Sequence, residues 1–280
     1  MFETEKEVLE WYESQPRAVS AQLLEELPWN EIKKHPLDPA FIPVIVYMRD
    51  VESFTEIYYD EMRLTPTGRD PIIRRFMDRW REEEDRHAKS LNRFLSEAGF
   101  ENDAEWEKHV RKRIPAQYMI GARVASFLAN CFGRHFSGVH MVWGAINEMT
   151  TLQGYRRLWT VAGHPILETL LRAIAQEESI HTRFYWNIAR LKLERSGFTQ
   201  KFSRYMVEKF WSPVGEGTKP RKETDYLILK LFNGDSGIEF FDRNVSKKLE
   251  QLPGFNGLKR ITERIAEASA SLQPQQPIGC

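Results

Sequence analysis

Cysteine is nearly missing from this chain: among 280 residues there are two, Cys131 and Cys280. Two thiols so far apart exclude a disulfide framework and a zinc ribbon, and they fit a reduced, cytoplasmic setting. Charge of one sign is missing too. Forty basic residues balance forty acidic ones, so the basic excess of a nucleic-acid binder is not there. No run approaches the ~18 uncharged apolar residues of a membrane span, and the longest lies near Phe41–Met48. The N-terminus, MFETEKEVLEWYE, is acidic and amphipathic, unlike a secretory signal or an Arg-rich transit peptide. Strand signals are scarce as well.

What is present is helix. Asp70 and Pro71 form a cap and first turn, and Gly99 closes the segment. Pro165 opens a second long segment after Gly163 and His164, with Gly197 as its stop. Two more long helices are predicted over Asp38–Leu64 and from about Phe132 to Ala162, with Pro43 tolerated in a first turn. Shorter ones are expected over 3–14, 17–27, 102–113, 200–211, 222–234, 236–251 and 257–271. The prediction is an all-α domain over 1–272 with a disordered tail at 273–280.

A repeat points to chemistry. Glu52 precedes Glu84 by 32 positions, and Glu148 precedes Glu178 by 30. Both second members open a Glu-x-x-His, Glu84 to His87 and Glu178 to His181. With 30 glutamates and seven histidines, about one such match arises by chance. The register is what distinguishes these two. Ile73, Phe76, Met77, Trp80, Leu91, Phe94 and Leu95 form an apolar stripe, and Glu84 and His87 fill its gap. Leu167, Leu170, Leu171, Ile174, Tyr185 and Ile188 form another, interrupted by Glu178 and His181. Glu52 sits in the stripe of Ile45, Met48, Tyr59 and Met62, and Glu148 in that of Met141, Ala145, Leu152 and Tyr155.

A lone Glu or His on an apolar face is usually a hydrogen-bonded core group. Six in two matched sets are different, because unpaired buried carboxylates cost several kcal/mol unless neutralised or metal-bound. One Glu from each of two helices plus Glu-x-x-His from each of two others is the ligand set of ferritin-like dinuclear carboxylate proteins. The expected fold is therefore a ferritin-like four-helix bundle with flanking helices. Oxygen donors with one imidazole per ion suit iron or manganese better than zinc. Glu82, Glu83 and Glu177 lie off the stripes, and a solvated face is expected for Glu82 and Glu83.

These residues resemble the soluble acyl-acyl-carrier-protein desaturases. WREEEDRHAKSLNRFLSEAG is similar to that family's Trp-x-x-Glu-Glu-Asn-Arg-His motif, and AIAQEESIH to its Ala-Asp-Glu-x-Arg-His. NEMTTLQGY resembles its third-helix segment, and VESFTEIYYDEM its first ligand region. The likeness covers roughly residues 25–195 and continues weakly to QLPGFNGLKRITERIAE. It implies Glu52, Glu84, His87, Glu148, Glu178 and His181 as ligands of two iron ions (Fe2+/Fe3+). It implies Thr151 beside the O2-binding side as a proton donor, and Trp29, in LPWNEI, on the electron path. It places Glu177 behind a ligand histidine, with His87 the candidate. Asp85, Glu177 and Ile180 depart from the family's Asn, Asp and Arg.

The implied activity is O2-dependent removal of two hydrogens from adjacent carbons of a saturated acyl chain, giving a cis double bond. The implied partners are acyl carrier protein or acyl-CoA as substrate, a small donor such as ferredoxin, and a second copy of the chain in a homodimer. Trp80, Phe76, Phe136, Trp143 and Tyr155 are candidate tunnel walls, although plain core packing is the better explanation for any one of them taken alone. Arg111-Lys112-Arg113 and Lys219-Arg221-Lys222 are candidate docking clusters for an acidic carrier. The runner-up is a di-iron hydroxylase or N-oxygenase, since fold does not fix function. A non-catalytic iron-binding bundle would need far fewer residues. A radical-generating reductase subunit would have Asp where Glu52 stands.

Overall fold

The computed structural model describes residues 2–100 and 103–271. The expected tail at 273–280, with Cys280, lies outside the described residues. Within them the chain is helical throughout, with one isolated bridge between Glu216 and Lys219 and no strand.

Four segments form the core. Helix α1 (Glu5–Ser14) and the short α2 (Ala21–Glu26) lead to α3 (Ile42–Ser53), α4 (Thr55–Met62) and α5 (Pro66–Arg69). Then come α6 (Pro71–Ala98), α7 (Trp106–Lys112), α8 (Ala116–Phe132), α9 (Arg134–Ala162) and α10 (Pro165–Glu194). α3 lies along α6, α9 lies along α10, and α1 bridges α6 and α10. α11 (Gly197–Phe210), α12 (Arg221–Phe232), α13 (Gly234–Phe241), α14 (Lys247–Leu249) and α15 (Arg260–Ser271) flank this bundle. All four predicted apolar stripes are buried in the main core, from Ile73, Phe76 and Leu91 on α6 to Leu167, Ile174 and Ile188 on α10.

The long-helix limits follow from their caps. Asp70 Oδ1 accepts from the amides of Ile72 and Ile73 at 3.0 and 3.4 Å, and Gly99 ends α6 with φ 89°. His164 Nδ1 accepts from the Leu167 amide at 3.2 Å before Pro165.

Four expectations need correction. Gly197 does not stop α10; Ser196 caps a new helix there, its hydroxyl accepting from the Thr199 amide at 3.2 Å. The segment 38–64 is not one helix. Ser53 Oγ donates to Asp50 O at 2.6 Å, taking the acceptor that the Phe54 amide would use in an α-helix. Phe54 bonds Val51 O at 3.0 Å instead, and the axis breaks two residues after Glu52. The segment 236–251 divides at a π-helical turn, Asp242–Ser246. Finally α8, a helix of 17 residues, occupies a stretch to which no helix was assigned.

Candidate metal centre

The six predicted residues converge. Glu52 comes from the last turn of α3, Glu84 and His87 from mid-α6, Glu148 from mid-α9, and Glu178 and His181 from mid-α10. None is more than 7% exposed. They form two overlapping groups, Glu52/Glu84/His87/Glu178 and Glu84/Glu148/Glu178/His181, with donor atoms within 4.8 Å of one another in each. Glu84 and Glu178 belong to both groups, while each histidine and each outer glutamate belongs to one.

The histidines point their two nitrogens in opposite directions. His87 Nδ1 lies 3.1 Å from Glu178 Oε1, and His181 Nδ1 lies 3.0 Å from Glu84 Oε1. Neither contact has hydrogen-bond geometry, and these four buried atoms have no hydrogen-bond partner among the described residues. Four buried O and N donors without partners are what a pair of divalent cations would satisfy. The donor chemistry fits iron.

Outside this ring the support is crossed between the helices. His87 Nε2 lies 2.7 Å from Glu177 Oε2 on α10, the contact expected of Glu177, whose other oxygen accepts from the Val19 amide at 2.9 Å. His181 Nε2 lies 2.9 Å from Glu83 Oε2 on α6. Glu83 is buried, which overturns its expected solvated face: Tyr12 of α1 donates to it at 2.8 Å and Arg79 Nε at 2.6 Å. Burial works against its ionisation, but hydrogen bonds from His181, Arg79 and Tyr12 overcome that and hold it down to about 2. Such outer partners fix ring orientation and tautomer. The sequence held a signal for Glu83, because the Glu-Glu doublet occurs in both motifs. Glu82 is indeed exposed.

The outer carboxylates are held too. Tyr155 donates to Glu52 Oε1, and Trp80 Nε1 donates to Glu148 Oε1 at 3.1 Å. Burial first, then the charges of Glu84 and Glu178, raise Glu52 and Glu148 well above the usual carboxylate range. Cation binding at such carboxyls is coupled to proton release.

Thr151 lies one turn beyond Glu148 and lines a cavity of about 150 Å³ that reaches Glu52, Glu84, Glu148 and Glu178. Of the expected tunnel walls only Trp80 lines it; Tyr58, Tyr118 and Tyr185 do so as well. Phe76 instead stacks on Phe184 at 3.8 Å, and Phe136 belongs to a small separate cluster. A second, apolar cavity of about 50 Å³ shares Val51, Thr151 and Val214 with the first and extends to Leu227 and Phe232. Trp29 does not reach the site's outer carboxylates: its Nε1 donates to Leu24 O at 2.7 Å and Arg93 stacks 4.2 Å from its ring. Arg111 and Lys219 of the basic clusters are committed to Glu56 and to Asp50, the latter at 2.6 Å.

A buried ring of four glutamates and two histidines inside an all-α bundle is a donor set that could hold two metal ions. A family model for fatty acid desaturases matches residues 58–223, more than half of the sequence, and the chain belongs to that family. The match includes Glu84 to His181 and begins after Glu52. No curated protein and no solved structure matches the chain. No helix among the described residues is long and apolar enough to cross a membrane.

Proposed function

We propose that the chain is an iron-dependent acyl desaturase of the soluble, carrier-thioester type. Glu52, Glu84, His87, Glu148, Glu178 and His181 would be the ligands of two iron ions. The observation that carries the reading is the set of four unpartnered donor atoms, one from each of Glu84, His87, Glu178 and His181, at the centre of a fatty acid desaturase family match.

The bound iron pair would supply the reduction of O2 that drives hydrogen removal. The overall change is R–CH2–CH2–R′ + O2 + 2 electrons + 2 H+ → R–CH=CH–R′ + 2 H2O. The protein's own groups have separate tasks. Glu177 and Glu83 orient the two histidines, and Tyr155 and Trp80 orient the outer carboxylates. The Thr151 hydroxyl, on the cavity wall beside Glu148, would hand a proton toward the O2 side. The apolar cavity beyond Thr151 would hold methylenes clear of water. The substrate would be a saturated acyl thioester of acyl carrier protein or coenzyme A, the donor a ferredoxin, and the working form a homodimer.

The test supplies iron-loaded protein with O2, a ferredoxin system and a panel of saturated acyl thioesters. A monounsaturated product with one O2 consumed per double bond is expected. An alcohol or N-oxide as the sole product would transfer the protein to the oxygenases that use the same ligands.

A further inference from the structure

Helix α8 is turned inside out relative to α6, α9 and α10. Its polar side chains face the bundle: Ser126 Oγ donates to Glu61 at 3.1 Å, and Asn130 donates to Leu64 O at 3.3 Å and accepts from Arg69 at 2.6 Å. Of its 17 residues only Ala129 is buried. Ile120, Val124, Phe127, Leu128 and Phe132 follow helical spacing along one face, point outward, and are 41% to 69% exposed. Eleven large apolar residues are exposed among the described residues, and five of them lie on this one helix, so the exposure is a stripe and not scatter. The stripe continues to α11, where Phe202 packs 4.8 Å from Phe132 and stacks on the exposed Phe198. Between α8 and α4 there is a cavity of about 300 Å³, lined by Tyr58, Met62 and Tyr118 among others, so α8 stands off the core.

The charge around the stripe has one sign. No Asp or Glu occurs from Lys108 to Asn147, in a chain whose acidic and basic residues are otherwise equal in number. Lys112 and Arg113 stand before α8, Arg123 lies on it and Arg134 follows it. All four are exposed, and none pairs with a carboxylate among the described residues. The nearby acids are engaged elsewhere, Glu56 with Arg111 and Glu61 with Ser126 on the bundle side. We propose that α8 is an in-plane anchor that lays this chain on a bilayer surface rich in anionic phospholipid. The hydrocarbon edge takes the apolar stripe, and the phosphates take the basic residues at both ends, which reach them along their methylene stems. At 17 residues, about 25 Å, and bonded to the bundle along one side, α8 lies along the surface and does not cross it. A second copy of the chain would bring two unpaired basic rims together. An acidic carrier protein would match the rim but would have to bury its carboxylates against five apolar side chains. A bilayer supplies anionic heads and hydrocarbon in the order the helix presents their partners. Binding of this kind goes beyond the desaturase reading and does not depend on it.

Flotation of the full chain with lipid vesicles tests it. Phosphatidylcholine vesicles holding about one-third phosphatidylglycerol should carry the protein, pure phosphatidylcholine should carry about tenfold less, and high salt should release it. Val124→Gln/Phe127→Gln, at two exposed positions, should weaken binding to the anionic vesicles about tenfold while the circular dichroism melt is unchanged. Arg113→Gln/Arg123→Gln should weaken it by about the same factor and flatten the salt dependence. Val161→Gln, at an exposed apolar position on α9, should bind as wild type does. Insertion is read at Cys131, which is exposed one turn beyond Phe127 on the same face. With Cys280→Ser, an environment-sensitive dye at Cys131 should shift to the blue when anionic vesicles are added. Absence of vesicle binding by the wild type, equal binding by Val124→Gln/Phe127→Gln, or a dye that stays water-like overturns the anchor. If that double substitution instead turns a dimer into a monomer with vesicle affinity unchanged, a second copy covers the stripe and the anchor is overturned. Loss of acyl carrier protein binding with vesicle affinity unchanged assigns the stripe to the carrier and overturns it equally.

Discussion

Glu83 Oε2 lies 2.9 Å from His181 Nε2. A carboxylate held down to about 2 is ionised at neutral pH and can only accept, so the imidazole must donate. The Nδ1 lone pair of a neutral His181 is then directed inward, toward Glu84 and Glu148, which is the tautomer a metal ligand needs. Glu177 plays the same part for His87 across the bundle at 2.7 Å. Each motif thus contributes its second glutamate and its histidine to the site, and its first glutamate to the other motif's histidine.

This crossing predicts a contrast between neighbours. Glu178→Ala removes a donor shared by both groups and should strip at least one iron and abolish turnover. Glu177→Ala and Glu83→Ala should retain most of the metal and lose about 10–100-fold in activity or affinity. Iron per chain and turnover are measured after circular dichroism confirms helicity. Loss of iron from Glu177→Ala with retention in Glu178→Ala would refute the register.

Stoichiometry gives a second expectation. The two groups share Glu84 and Glu178 and differ in their histidine and outer glutamate. Aerobic protein from iron-replete cells should therefore hold close to two iron atoms per chain, with near-ultraviolet absorption from an oxo-bridged pair. One zinc and no iron by elemental analysis would end the di-iron reading.

The convergence of the six residues was legible because the apolar stripes set the rotation of each helix, and Ile174 and Tyr185 left Glu178 and His181 no other face. The stripes did not reveal Glu83, because it lies ~100° around α6 from Glu84, and only the repeated Glu-Glu doublet pointed to it. Its burial depends on Tyr12, which packs over it from 71 residues away. The break after Glu52 escaped notice because one serine hydroxyl decides it, and a hydroxyl's choice of acceptor leaves no periodic trace. Helix α8 was missed for the opposite reason. Ile120, Val124, Phe127 and Leu128 are exposed on it, so no alternation of apolar and charged residues marks a buried face.

Packing beside the site yields a third prediction. Gly144 on α9 lies against the buried Tyr185 ring, and a Cβ there would stand 2.3 Å from Cδ1 and Cε1. The ring is buried, and to clear a Cβ at that distance it would have to swing toward the cavity that it lines. Gly144→Ala should cost about 1–3 kcal/mol through overpacking. That corresponds to a fall in melting temperature of roughly 2–10 °C for a chain of this size. Adding Tyr185→Leu should recover part of the loss in a double-mutant cycle, and strict additivity would show that the two residues do not collide.

The last prediction concerns pH and a histidine away from the six clustered residues. His140 Nδ1 lies 2.7 Å from Thr67 Oγ1, and its ring packs edge-on against Phe136 at 4.7 Å. Burial lowers its pKa from 6.5 to about 4. The unfolded chain therefore takes up this proton first as pH falls, and the folded chain resists it. Stability is full above pH 6.5, declines between 6.5 and 4, and reaches its whole loss below 4, at most about 3 kcal/mol by linkage. Other carboxyls titrate across the same window, so the wild-type curve alone is not diagnostic. His140→Gln keeps a partner for Thr67 and removes the titration. Urea midpoints of both proteins between pH 7.5 and 4.5 should diverge, with the wild type losing more stability toward acid than the variant. Parallel curves would mean that the folded protein protonates His140 as readily as the unfolded chain does.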